Sequence, residues 1–137
     1  MSQTISHHQA LVYVMVTMAA VDREISDTEL GRIGQIVKNL PIFKDFDEER
    51  LVHVARECGD ILGEDDGLGA ILGLVAECLP AKLYETAYAL AVEVAAVDLS
   101  VEQEELRFLQ LLRDKLHIDK LTLAAIERGA RARHQIL

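Results

Sequence analysis

Ala19-Ala20-Val21-Asp22 recurs as Ala95-Ala96-Val97-Asp98. At the same offset of 76 positions Glu29 falls on Glu105, Leu30 on Leu106, Leu40 on Leu116, Ile42 on Ile118 and Lys44 on Lys120. Ile25/Val101, Ile33/Leu109 and Ile36/Leu112 are conservative apolar pairs. A long period with only two copies argues for a duplicated helical bundle with a pseudo-two-fold axis, not for a solenoid. Most of these matches need only packing to explain them. Asp22/Asp98 and Glu29/Glu105 are charged and call for a chemical reason.

Working outward from the two copies, the apolar periodicity predicts about seven helices and no strands. The first covers about 4–21 and is apolar on every side from Ala10 to Val21 except at Thr17, as befits the middle of a bundle. The second covers about 27–39, with Leu30, Ile33, Ile36, Val37 and Leu40 on one stripe, and Pro41 ends it. The third, about 47–62, is capped by Asp47 and turns Leu51, Val54, Ala55, Cys58, Ile61 and Leu62 inward. A loop over 63–67 leads to a connector helix over about 67–78. Pro80 starts the fifth helix, about 81–97, which is nearly all apolar. The sixth, about 101–116, is expected to bury Leu106, Leu109, Leu112 and Leu116; the seventh covers about 119–133. The chain thus reads as one all-α domain over 1–137, with repeats at about 10–62 and 86–137.

Composition narrows the function. A net charge of −9 disfavours a nucleic-acid partner, which needs a basic face, and disfavours docking on anionic lipid by charge alone. The twelve-residue apolar run ending at Val21 is too short to span a bilayer, so no membrane insertion is expected. No basic residue precedes that run, as a secretion signal would require. Two cysteines, Cys58 and Cys78, are too few for a disulfide framework; each reads as a buried small hydrophobe in a cytoplasmic protein. No hydrolase, phosphate-loop or zinc motif is present, and Gly67-Leu68-Gly69 reads as a hinge, so the chain reads as a non-enzyme.

In each half a buried helix ends at the Asp, and the next helix carries Glu in its first turn. A carboxylate at a helix C-terminus faces the negative pole of the helix dipole. A bound cation would compensate, and Asp and Glu oxygens suit Ca²⁺ or Mg²⁺ better than Zn²⁺. The competing reading is capping. Ser26-Asp27-Thr28-Glu29 and Ser100-Val101-Glu102-Gln103 both fit a capping box, and Asp22 and Asp98 could accept from N–H groups at the next helix start. Adjacent His7 and His8 are not on one helix face and read as an exposed terminus. Glu93, aligned with Thr17, interrupts an apolar helix and calls for an Arg or Lys partner or for a place in an acidic cluster near Asp98. The basic tail from Arg128 to His134 reads as a solvated face, with a membrane or partner contact as the alternative.

The motif resembles the tellurite-resistance TerB family of bacterial proteins: a long apolar helix ending in Ala-x-x-Asp, a short polar loop, an apolar Ile or Val, and Glu opening the next helix. Here those residues are Ala19 to Ile25 with Glu29-Leu30, and Ala95 to Val101 with Glu105-Leu106. The family pattern has Gly directly after the Asp, where this chain has Arg23 and Leu99, and Ser100 stands where the first copy has Glu24. The resemblance implies a small cytoplasmic helical protein tied to tellurite resistance and stress responses, with protein partners that include membrane-bound ones; it leaves a homodimer open. It also implies divalent-metal binding through Asp22, Glu24, Glu29, Asp98 and Glu105. A metal-free interaction module, its acidic motifs serving as helix caps, is the alternative.

Overall fold

The computed structural model describes residues 4–20, 25–96 and 103–137. Among these residues there are seven α-helices and no strands, as the periodicity predicts. They are α1 (His7–Ala20), α2 (Asp27–Asn39), α3 (Leu51–Leu62), α4 (Gly67–Cys78), α5 (Tyr84–Ala96), α6 (Gln103–Leu116) and α7 (Lys120–Arg133). Short 3₁₀ turns at Pro41–Phe43, Glu48–Arg50 and Ala81–Leu83 absorb the ends that a continuous helical reading would have merged.

The local signals explain the boundaries. Ser26 caps α2: its Oγ accepts from the Glu29 N–H at 3.1 Å, and the Glu29 carboxylate accepts from the Ser26 N–H at 3.2 Å, completing a capping box. Leu40 leaves the helix in an extended conformation, and Pro41, which cannot donate to a helical turn, starts the 3₁₀ segment. Asp47 accepts from the Glu49 N–H, and Asp119 caps α7 by accepting from the Thr122 N–H and hydroxyl. The Tyr84 hydroxyl donates to the Ala76 carbonyl at 3.1 Å and ties the start of α5 to α4.

α1 has no amphipathic stripe because it needs none. It packs against α2, α3, α4 and α5, and every residue from Ala10 to Ala19 is buried. α5 packs against α1, α6 and α7, and α4 bridges α1 and α3 to α6. α5 is covered on fewer sides: Thr86, Ala89 and Glu93 are half-buried and line a groove of about 510 Å³ together with Ile36 of α2 and Leu40 just after it. The buried apolar side chains form one continuous core.

Two expectations about the core need correction. Leu106 is not inward; it is 49% exposed. The stripe of α6 is Phe108, Leu109, Leu112 and Leu116, and at about 100° per residue Leu106 lies about 200° around the helix from Phe108. Its counterpart Leu30 is half-buried against the core, so the two halves differ here. Cys78 is half-buried, whereas Cys58 is fully buried as expected.

Candidate functional site

Of the five acidic residues expected at the site, the structure describes Glu29 and Glu105. Asp22, Glu24 and Asp98 lie outside the described residues. Glu29 is half-buried in the first turn of α2, and its Oε1 is engaged by the Ser26 N–H and hydroxyl, the latter at 3.0 Å. Glu105 is half-buried in the first turn of α6. Among the described residues no three His, Cys, Asp or Glu side chains are grouped so as to hold a metal ion. The described part of the first motif is therefore arranged as a helix cap.

A second acidic position is resolved fully. The Glu93 carboxylate bonds the Arg133 guanidinium through Oε1 and His134 Nε2 through Oε2, the latter at 2.8 Å. The last turn of α7 is thereby fastened to α5. Burial would raise the Glu93 carboxyl; the hydrogen bonds from His134 and Arg133 outweigh it and hold the group below its ordinary 4.5. The expected basic partner is present, and two residues of the tail read as solvated are committed to it, while Arg128 and Arg131 are exposed.

This contact has a counterpart in the first half. Thr17 Oγ1 lies 3.5 Å from Cys58 Sγ, joining α1 to α3. Thr17 aligns with Glu93 and Cys58 with His134, and both contacts span the same sequence separation of 41 residues. Val54 and Ala130, also related by the offset, are buried in α3 and α7. The α1–α3 and α5–α7 contacts thus involve positions related by the offset of 76 residues. In the first half the pair is uncharged and buried: Cys58 donates to the Tyr13 carbonyl, and burial pushes its thiol up to about 11. In the second half the pair carries the Glu93 carboxylate and is partly exposed.

His8 departs from the exposed-terminus reading. Its Nε2 lies 2.8 Å from the Ile42 carbonyl, and its ring packs against Phe43 and Phe46 at 5.7 and 5.4 Å. His7 is half-buried beside it with ring centroids 4.1 Å apart; burial and the His8 ring lower its pKa. The partners are 34 residues away, beyond the reach of local sequence reasoning. The Tyr13 hydroxyl is buried without a hydrogen-bond partner among the described residues, and burial together with the nearby Glu57 pushes it up to about 12.

A family model described as Tellurite resistance protein TerB matches residues 8–128. The chain belongs to the TerB family. No curated protein and no solved structure gives a significant match. The match to this TerB-family chain runs from α1 into α7 and so takes in both acidic motifs. Among its described residues no single helix is long and apolar enough to cross a membrane.

Glu93 yields a signed prediction. Its folded pKa is depressed, so its stabilising contribution is present above the unfolded value and is lost as pH falls through the folded one. Glu93→Gln is expected to cost about 1.5 kcal/mol at pH 7, the low end of the range for hydrogen bonds to a charged group, because the Arg133 partner is more than half exposed. Urea unfolding at pH 7 and again well below 4.5 should show the difference between wild type and variant shrinking. A difference that is unchanged in acid would mean that shape, not charge, holds the end of α7.

Proposed function

We propose that this TerB-family protein is a non-catalytic, cytoplasmic cation-binding and interaction protein of the tellurite and stress response, with protein partners. The cation would be Ca²⁺ or Mg²⁺, held by Asp22, Glu24 and Glu29, and in the second half by Asp98 and Glu105. Family membership across both motifs carries the reading. The matched contacts Thr17–Cys58 and Glu93–His134 support an origin by duplication, in which two similar hairpins are inherited together. A second reading is favoured by the Ser26–Glu29 capping box: a metal-free interaction module whose acidic residues stabilise helix starts.

One experiment separates the two. If Asp22 and Glu29 ligate a cation, adding it raises the unfolding temperature, because a ligand held only by the native state stabilises by mass action. At a free concentration about a hundred times Kd the gain is about 2.7 kcal/mol, and Asp22→Asn removes it. If the motif is only a cap, Ca²⁺ and Mg²⁺ change nothing, and Ser26→Ala and Asp22→Ala each cost about 1 kcal/mol in their presence or absence. The response at Asp98 should be weaker, since Ser100 replaces a carboxylate.

A further inference from the structure

A groove of about 660 Å³ runs between α2 and α3 over the end of α1. Its floor is apolar: Val16 and Ala20 of α1, Ile25, and Leu30 of α2 all line it. Val52 of α3 stands in its wall 46% exposed, one of the few large apolar side chains that the fold leaves open. Asp27, Asp60 and Arg56 are its charged lining residues. Among the described residues the rim therefore carries two carboxylates against one guanidinium, on a chain of net charge −9.

Gly59 also lines the groove. It sits inside α3, where glycine weakens a helix, and a Cβ built on it meets no atom within 4 Å. Nothing in the packing of the described residues requires a glycine there. Its bareness leaves the α3 backbone open to close approach from outside.

We propose that this groove seats an amphipathic helix of a partner protein, with leucine-like side chains on the Val16–Ile25–Leu30 floor and lysine or arginine beside Asp27 and Asp60. The inference rests on the interaction reading above and gives it a surface and a partner chemistry. The rim charge decides the partner. An acidic helix would bring like charges together at close range, whereas a basic one meets complementary potential. Docking an apolar helix face in a groove between helices is an established recognition mode, with anchors one turn apart.

The probe is a synthetic helical peptide of about four turns with leucines along one face and flanking lysines, titrated by calorimetry. Its twin has glutamates in place of the lysines. Wild-type protein is expected to bind the lysine peptide at least about tenfold more tightly than the twin. Gly59→Leu projects a side chain into the groove from a Cβ position with no atom within 4 Å, and should fold at least as well as wild type while weakening binding about tenfold or more. Asp60→Lys should reverse the preference between the two peptides. Equal binding to Gly59→Leu, or no change of preference in Asp60→Lys, overturns the proposal. So does a wild-type dimer in sedimentation that Gly59→Leu dissolves, because the groove would then belong to a second copy. Repeating the titrations with Ca²⁺ and with chelator keeps the two readings apart: a thermal response to Ca²⁺ without peptide binding leaves the cation site and removes the groove, and peptide binding without a Ca²⁺ response does the opposite.

Discussion

Phe108→Ala is expected to cost about 3–5 kcal/mol, the range for deleting a buried aromatic ring. Phe108 is fully buried at the head of the α6 stripe, and α6 holds the second half together by packing on both α5 and α4. Removing the ring loses its transfer free energy and leaves a cavity among helices that cannot all collapse inward, because each is tied elsewhere. α5 is fixed to α7 through Glu93, and α4 to α5 through Tyr84. Leu106→Ala, two residues earlier, should change stability by less than about 1 kcal/mol, as surface substitutions do. Urea unfolding of both variants with unchanged slope is the measurement. Equal losses at the two positions would mean that α6 is rotated from the orientation described.

That contrast also shows what the sequence could and could not disclose. α6 carries Leu106, Leu109, Leu112 and Leu116 at three- and four-residue steps, and the same helix offers Phe108, Leu112 and Leu116 at strict four-residue steps. Both rows are apolar, so periodicity alone does not choose between Leu106 and Phe108. The repeat pointed the wrong way as well: Leu106 aligns with half-buried Leu30, while Phe108 aligns with exposed Arg32. α6 also packs on α4, which has no counterpart at the offset of 76 residues, so the sequence match does not report this contact. The bounds of α2 and α4 were legible because their signals are local: the Ser26 box, Pro41, and the loop before Gly67. The His8 site and the pairing of Thr17 with Cys58 were not, because their partners lie 34 and 41 residues away. A basic partner for Glu93 could be demanded on energetic grounds, since a carboxylate in an apolar helix must be compensated. Its identity could not be, because the repeat supplies only Cys58 at the matching position. Capping at Glu29 is visible in both sequence and structure for the same reason that the helix ends are: it is complete within four residues.

Gly67→Ala is expected to be the most damaging of the small substitutions, with a loss of at least about 3 kcal/mol, at or beyond the upper end of overpacking costs. The stretch read as a hinge is the first turn of α4, and Gly67 is buried where that turn crosses the end of α3. A Cβ there would run into the backbone carbonyl of Ile61 and come within 2.7 Å of both Cα and O of Leu62. These are helix backbone atoms, and Leu62 ends the helix that carries the buried Val54 and Cys58. They cannot retreat without moving α3 off α1. Gly69, two residues on, makes the control. The nearest atoms to a Cβ there are those of the Asp66 carboxylate, within 2.8 Å, and an exposed aspartate side chain can rotate into water. Alanine also favours a helix interior over glycine by about 0.5–1 kcal/mol. Gly69→Ala should therefore stay within about 1 kcal/mol of wild type and raise stability if the Asp66 rotation is free. Thermal and urea unfolding of the two variants side by side test the geometry of the α3–α4 corner directly. If Gly67→Ala lost less than about 1 kcal/mol, the corner would have room to open, and the close approach of the two helices would not be what demands glycine there.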